Sequence, residues 1–283
     1  KQSYAIGFTI YGMSEFARAT GDKEALDGAL ALYESIEAHA FDSKNNGYIE
    51  ALTRDWQPIA DMRLSDKDEN GSRTMNTHLH IIEPYTNLYR VAPSAELKER
   101  LVNLLHIFTD RLLNRQTNHL DLFFNDEWQG RRNIQSFGHD IEASWLLHET
   151  ALVLGDKDVL AWIEPIVKDV AQAADEGLLP DGSMVCERWM DTGKTDGSLQ
   201  WWVQCENVIG HVNLWQYFGN KENLVIAENC WGYIKAHLVD NADGEWYWSI
   251  NEDGTVNLAD DKAGFWKCPY HNTRMCLEIM ERM

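Results

Sequence analysis

The stretch Thr20-Gly21-Asp22-Lys23-Glu24-Ala25-Leu26 decides the fold, because related stretches recur at 91–97, 154–160 and 218–224. In each of them a Gly or Pro stops one helix, an Asp, Asn or Ser caps the next, and an acidic residue follows in the first turn. The apolar residues on both sides of the first stretch are spaced as on one face of a helix. The repeating unit is therefore predicted to be a helix hairpin.

Segments rich in Gly, Asn and Asp follow the second helix of each hairpin, at 45–49, 118–123, 180–184 and 242–248. Their alternating aromatic residues are typical of short β-hairpins or loops. The pattern as a whole predicts one further helix from about Pro269, after four helix pairs at 3–40, 73–115, 137–176 and 201–238.

Repeated hairpins that close on themselves form an all-α (α/α)6 barrel, which is a toroid of inner and outer helices with short β-hairpin loops. Such a ring needs twelve helices, so the pattern leaves about three helices missing on the N-terminal side. We therefore expect residues 1–283 to be a single (α/α)6-barrel domain that is N-terminally incomplete. An open solenoid of hairpins is the alternative.

The composition argues against several classes of partner. A formal net charge of -20 repels nucleic acid, anionic membrane surfaces and polyanionic substrates, whereas it is compatible with a neutral ligand such as a sugar. No apolar run approaches the length of a membrane span. The five cysteines are odd in number and widely spaced, as in a protein with reduced thiols. We therefore expect a cytoplasmic protein and favour a monomer.

Polar and aromatic residues collect near the start of the first helix of each pair, where a structural helix would show Leu and Ala. They are Asn76, His80 and Glu83 in the second pair, His139 and Glu142 in the third, Trp202 and Glu206 in the fourth, and Trp266 and His271 at the last helix. Residues three or four positions apart share a helical face. Because the first helices of successive hairpins are equivalent, these side chains are expected to converge on one pocket.

Such a pocket suits a sugar, because Trp stacks on the C–H face of the ring while Glu or Asn binds hydroxyl groups. Histidine titrates near neutral pH, so histidines on opposite sides of a pocket indicate proton transfer. A glycoside hydrolase would instead need a pair of carboxylates across the scissile bond, with Asp140, Glu142 or Glu206 as its acid. A metal is not expected, because the histidines come from three helices without a short ligand pair.

Four motifs of the chain resemble those of the N-acylglucosamine 2-epimerase family. They lie in order along the sequence at Thr74–Glu83, Ser136–Ala143, Trp201–Glu206 and Trp266–Asn272. Within that family the motifs are most similar to those of the cellobiose (mannobiose) 2-epimerases. The resemblance implies an (α/α)6 barrel. It also implies cofactor-free C2 epimerisation of the reducing-end sugar of a β-1,4-linked disaccharide.

The resemblance also implies roles for single residues. His139 and His271 would be the acid and base on the two faces of C2, acting through a cis-enediolate. His80 would assist at O1 and O2 or in ring opening, and Glu142 would hold His139 in its productive tautomer. Substrate binding would involve Tyr4, Asn76, Trp202, Glu206 and Trp266.

Several alternatives remain open. An aldose–ketose isomerase or an N-acylglucosamine 2-epimerase could use the same scaffold, since an enediolate can also be protonated at C1. A glycoside hydrolase on a similar helical toroid is a second alternative, and a non-catalytic sugar-binding remnant is a third. The motifs do not fix the second sugar of the substrate. They also leave open which of His139 and His271 takes which proton.

Overall fold

The computed structural model describes residues 1–65, 68–130 and 133–283. Within these ranges, nine α-helices form four hairpins and a final single helix, which confirms the helix pairs predicted from the repeat. The helices are α1 (Ser3–Thr20), α2 (Lys23–His39), α3 (Met75–Val91), α4 (Ala95–Ile107), α5 (Phe137–Leu154), α6 (Lys157–Ala174), α7 (Trp201–Phe218), α8 (Lys221–Tyr233) and α9 (Tyr270–Arg282). Among the described residues, none of the helices has both the length and the apolar character that a membrane crossing requires.

The turns of the hairpins form as the repeated stretch predicts. After α1 the backbone of Gly21 is left-handed, with a φ of 74°, and the side chain of Asp22 then accepts a hydrogen bond of 2.8 Å from the amide of Ala25. After α7, Gly219 is left-handed with a φ of 78°, and the side chain of Asn220 caps α8. Glycine adopts this conformation without strain, so each helix stops and restarts on local signals.

Short antiparallel strands lie between the helix hairpins. They are β1 (Phe41–Asp42), β2 (Gly47–Tyr48), β3 (Arg73–Thr74), β4 (Phe123–Phe124), β5 (Ile134–Ser136), β6 (Glu187–Trp189), β7 (Lys194–Asp196), β8 (Leu199–Gln200) and β9 (Ser249–Ile250). The strand before α3 pairs with the strand after α4, β5 before α5 pairs with β6 after α6, and β8 before α7 pairs with β9 after α8. Before α1, Gln2 bridges to Ala51 in the same way. This pairing fixes the N-terminus of every first helix, where the predicted site residues lie.

The described chain divides into two compact units. Unit 1 contains Lys1–Gln116, Leu120–Asn133 and Leu146–Pro165, and unit 2 contains Thr117–His119, Ile134–Trp145 and Ile166–Met283. In unit 1, α1 packs against α2 and α3, and in unit 2, α7 packs against α8 and α9. The single barrel domain over residues 1–283 stays a prediction.

Close helix packing in unit 1 depends on Gly7. A Cβ atom at this position would lie 2.2 Å from the carbonyl oxygen of His80, so α1 could not approach α3 as it does with any larger residue. This close packing of the two helices places the first turn of α1 beside His80, which the sequence predicts to be functional.

One buried histidine of α3 has hydrogen-bond partners for both of its ring nitrogens. His78 is fully buried, and its Nε2 accepts a hydrogen bond of 3.0 Å from the amide of Tyr48. Its Nδ1 therefore carries the proton and donates it to the carbonyl of Thr74 at 2.7 Å. Burial lowers the pKa of His78 to about 4. His78 is thus a neutral structural histidine.

Glu50 is a buried carboxyl group at the start of α3. Its Oε2 accepts a hydrogen bond of 2.7 Å from the hydroxyl of Thr74, and that hydroxyl caps α3 by accepting from the amide of Thr77. Burial raises the pKa of Glu50 from 4.5 to about 7, and the hydrogen bond from Thr74 opposes the rise only in part.

We expect Glu50→Gln to change the pH dependence of stability. The folded protein binds a proton at Glu50 between its unfolded and folded pKa values, so wild-type stability falls as pH rises from about 4.5 to about 7. The neutral amide removes this loss, and the variant should gain up to about 3 kcal/mol relative to wild type between pH 5 and pH 8. Urea unfolding at both pH values measures the gain, with Glu24→Gln at an exposed position as the control. An identical pH dependence in Glu50→Gln and wild type would contradict the assignment.

Candidate functional site

The starts of α5, α7 and α9 bring aromatic and ionisable side chains together in unit 2. The ring centroids of His139 and Trp202 lie 4.8 Å apart, and those of Trp202 and His271 lie 5.6 Å apart. Both histidines are partly exposed. The structure therefore places two predicted catalytic histidines against one predicted substrate-binding tryptophan.

The residues around Gly138 position His139. A Cβ atom on Gly138 would lie 2.6 Å from Cη2 of Trp202, so only glycine lets α5 begin so close to this ring. The strand just before α5 ends at Ser136, which pairs with Glu187 of β6. The hydroxyl of Ser136 lies 2.7 Å from Nδ1 of His139. A strand, a glycine and a hydroxyl group thus set the position of the imidazole.

Glu206 is a fully buried carboxylate that links α7 to the other two helices. Its Oε1 accepts hydrogen bonds from Nδ1 of His271 at 2.7 Å and from Nη2 of Arg274 at 2.6 Å, and its Oε2 accepts one from Nε1 of Trp145 at 3.0 Å. Burial alone raises the pKa of Glu206, but Arg274 and His271 outweigh burial and hold that pKa below its ordinary value of 4.5. An ionised Glu206 fixes the His271 tautomer that carries its proton on Nδ1.

Arg274 is a site residue that the sequence patterns did not single out. Its buried guanidinium donates from Nη2 to Oε1 of Glu142 at 2.8 Å as well as to Glu206, and it lies 4.9 Å from the ring centroid of Trp145. Its Nη1 also donates to the hydroxyl of Tyr270. The signal for Arg274 was its position three residues after His271, which places both on one face of α9.

The same carboxylates have a spacing that a metal ion could bridge. Ligand atoms of Glu142, Glu206 and His271 lie within 4.8 Å of one another. Arg274 donates to both carboxylates, so its guanidinium already fills the position of a cation. A metal would have to displace this guanidinium, which makes the cluster a poor match to a metal centre.

The structure places the remaining predicted residues of unit 2 in different surroundings. Trp266 is half exposed, and its described ring contact is with Phe265, at 4.9 Å between centroids. Asp140 is completely buried, and its Oδ2 lies 2.7 Å from Nδ1 of His119. A carboxylate in that pairing is badly placed to be the exposed acid of a hydrolase.

A second group of predicted residues belongs to unit 1. Nδ1 of His80 lies 3.2 Å from Oε2 of Glu83, and the ring of Tyr4 meets the ring of His80 edge-on at 5.0 Å. Asn76 is half-buried one turn before His80 on α3. The structure thus brings Tyr4 to His80, as their assignment to one pocket requires.

Comparison with known proteins gives the family. Residues 1–274 match the N-acylglucosamine 2-epimerase (GlcNAc 2-epimerase) family. A cellobiose 2-epimerase from Bacteroides fragilis is 58% identical over 280 residues, which cover 99% of this chain and 71% of that protein. The solved structure of cellobiose 2-epimerase from Bacillus thermoamylovorans has a TM-score of 0.93 at 39% identity, covering 100% of this chain and 72% of its own.

A solved D-mannose isomerase shares the fold at 19% identity, with a TM-score of 0.85 over 100% of this chain and 71% of its own. These likenesses confirm the predicted all-α fold class of the (α/α)6 barrel. The family resemblance read from the four motifs is confirmed as well. The chain therefore belongs to the N-acylglucosamine 2-epimerase family, and it is an enzyme of the sugar epimerase class.

Proposed function

We propose that the protein epimerises C2 of the reducing-end sugar of a β-1,4-linked disaccharide of the cellobiose or mannobiose type, without a cofactor. The observation that carries this proposal is the pair of imidazoles, His139 and His271, against the ring of Trp202. The similarity to cellobiose 2-epimerases supports the choice of substrate.

The chemistry needs one proton removed and one returned. Once the sugar ring opens, the C1 aldehyde makes the hydrogen on C2 acidic. One imidazole takes that proton, the C–H electron pair forms the C1=C2 double bond, and O1 becomes negatively charged in a planar cis-enediolate. The other imidazole then gives a proton to the opposite face of C2, so the product is the C2 epimer and no atom is gained or lost.

The hydrogen bonds of the two histidines indicate which nitrogens react. Nδ1 of His271 is held by Glu206, and Nδ1 of His139 lies beside the hydroxyl of Ser136. We therefore assign proton transfer to Nε2 of each imidazole.

Two carboxylates, Glu142 and Glu206, face the single guanidinium of Arg274. The net charge of these three groups and His271 is zero when His271 is protonated.

Other residues bind and orient the sugar in this proposal. Trp202 and Trp266 would stack on the sugar rings, and His80 would assist at O1 and O2 or in ring opening, with Tyr4 and Asn76 nearby on the substrate. The predicted contact of Glu206 with a substrate hydroxyl competes with three hydrogen bonds that this carboxylate makes to protein groups. We therefore propose Glu206 chiefly as the residue that orients His271.

We further propose a cytoplasmic, monomeric enzyme built as one barrel domain. All five cysteines are free thiols, three of them buried, which supports a reducing compartment. The partner is the small oligosaccharide substrate itself.

Incubation with cellobiose tests the proposal directly. We expect an isomer of unchanged mass in which glucose at the reducing end has become mannose, and mannobiose should be converted in the reverse sense. Chromatography and NMR of the product identify it. A dominant ketose would instead indicate an aldose–ketose isomerase, released monosaccharide would indicate a hydrolase, and either result would overturn the proposal.

A further inference from the structure

The segment that carries Trp266 and His271 is hydrogen-bonded near both of its ends to the same carboxylate oxygen. Oε1 of Glu245 accepts a hydrogen bond from Nζ of Lys267 at 2.9 Å and another from Nδ2 of Asn272 at 3.0 Å. Lys267 directly follows Trp266 in the chain, and Asn272 directly follows His271. One atom therefore holds a neighbour of the predicted stacking residue and a neighbour of the predicted catalytic residue.

Lys267 depends on this contact, because its side chain is completely buried. A buried ammonium group is tolerated when it is paired with a charge and its hydrogen bonds are made. Glu245 supplies the charge, and the carbonyl oxygen of Lys262 accepts a second hydrogen bond at 2.7 Å. Nζ also lies 5.3 Å from the ring centroid of the buried Trp201. Removing the carboxylate charge would leave a buried cation beside an aromatic core.

Glu245 also occupies a backbone conformation that side chains seldom adopt. Its φ of 63° is in the left-handed region, which costs free energy for any residue other than glycine. Oε1 accepts a third hydrogen bond, of 3.0 Å, from the amide of Trp246. Burial raises the pKa of Glu245, but the hydrogen bonds from Lys267, Trp246 and Asn272, together with the charge of Lys267, outweigh burial and keep the pKa below 4.5, so the group is charged at neutral pH. A strained backbone conformation of this kind persists only where several surrounding contacts hold the residue in place.

We propose that Glu245 is a positioning residue for proton transfer, which holds the segment Trp266–Asn272 so that His271 meets Glu206. It does not touch the substrate in this assignment. The inference rests on the proposed function, in which His271 is an acid–base residue. A displacement of about 1 Å in a catalytic group can cost about 10²-fold in rate, and the 2.7 Å bond between Nδ1 of His271 and Glu206 leaves little room for such a shift.

Glu245→Gln tests the proposal, because glutamine keeps the shape and one acceptor oxygen but removes the charge. We expect kcat to fall by about 10- to 100-fold, with KM changed by no more than about 3-fold. The imidazole Nδ1–H signal of His271 in ¹H–¹⁵N NMR, assigned by its loss in His271→Asn, should shift or broaden. This second readout needs no turnover, so it reports on positioning even if the proposed epimerase activity is absent.

A matched control and a second variant sharpen the test. Asp253→Asn makes the same carboxylate-to-amide change in an exposed turn, where Oδ1 accepts from the amide of Thr255 at 2.9 Å, and it should leave kcat and the NMR signal unchanged. Asn272→Ala removes the hydrogen bond to Glu245 and the local one that Oδ1 of Asn272 accepts from the amide of Thr273, but it spares the buried ion pair, so it decides the question if Glu245→Gln does not fold. We expect it to lower kcat about 5-fold and to shift the same signal. Wild-type kcat and an unshifted signal in a folded variant would overturn the proposal.

Discussion

His271→Asn should lower kcat for C2 epimerisation by about 10³-fold or more, because general acid–base catalysis contributes about 10²- to 10⁴-fold and asparagine cannot exchange a proton. KM should change little, since the ring of Trp202 stays in place for stacking. His139→Asn should have an effect of the same size. Both variants should fold, because each histidine is partly exposed and asparagine can replace one of its hydrogen bonds.

Isotope exchange can separate the roles of the two histidines. If each imidazole serves one face of C2, a variant that lacks one of them can still remove and return a proton on the other face. We expect each variant to exchange the C2 hydrogen of one epimer for solvent deuterium without converting it, and the two variants should act on opposite epimers. This result assigns the face served by His139 and the face served by His271.

The control for both variants is His237→Asn, which changes an exposed histidine near the end of α8. It should leave kcat and KM as in wild type. Epimerisation within about 5-fold of wild type in either His139→Asn or His271→Asn would contradict the two-histidine mechanism.

Arg274→Met should be the most destabilising single change in the site. It removes the cation that Glu142 and Glu206 share and leaves two buried carboxylates without it. Breaking a buried ion pair in this way costs about 3–5 kcal/mol, which corresponds to a fall in Tm of about 10 °C for a protein of this size. Thermal and urea unfolding measure the loss, and kcat should fall as well because Glu206 orients His271.

The loss of stability in Arg274→Met should depend on pH. In wild type, Arg274 and His271 hold the pKa of Glu206 below its unfolded value, so the stability from this group is present above about pH 4.5 and disappears as pH falls through the folded pKa. Without Arg274, burial raises the pKa of Glu206 and the ionised form becomes unfavourable. The deficit of Arg274→Met should therefore be larger at pH 8 than at pH 5.

Arg282→Met is the matched control for Arg274→Met. Arg282 is also on α9 and lies 5.9 Å from the same ring of Trp145, but its ion pair with Glu278 is one helical turn away on its own helix and partly exposed. Arg282 also donates from Nη1 to Oδ1 of Asn213 at 3.1 Å, so its loss should cost about 1–2 kcal/mol, which is still less than the loss of Arg274. Equal stability losses in the two variants at pH 8 would contradict the account of Arg274.

The helix pairs could be predicted because their signals are local. Gly21 followed by Asp22, and Gly219 followed by Asn220, stop one helix and cap the next, and these signals act within a few residues. The three-stranded sheet of β5, β6 and β7 was not predicted. Its strands are three residues long, too short for the alternation of apolar and polar residues that marks a strand.

The histidines of the site could be predicted, but their partners could not. His139 and His271 are 132 positions apart, and only the repeat and the family motifs connected them. The carboxylate and arginine contacts depend on how α5, α7 and α9 pack, which periodicity does not fix. Glu206 thus lies against His271 and Arg274, whereas the resemblance assigned it to a substrate hydroxyl, and that substrate contact stays a prediction.

Glu245 illustrates a role that no sequence pattern could reveal. Asp243-Gly244-Glu245 has the composition of an ordinary turn, and the sequence predicts only a short β-hairpin or loop there. Its significance comes from a left-handed backbone and from contacts with Lys267 and Asn272, more than twenty positions later in the chain.

The most direct test of the central claim is the fate of the C2 hydrogen during turnover in deuterium oxide. Proton transfer through an enediolate predicts one solvent deuterium at C2 of the epimer formed from cellobiose, with the glycosidic bond intact. Mass spectrometry and NMR of the isolated product read out both features. An epimer that retains the original C2 hydrogen would contradict the account.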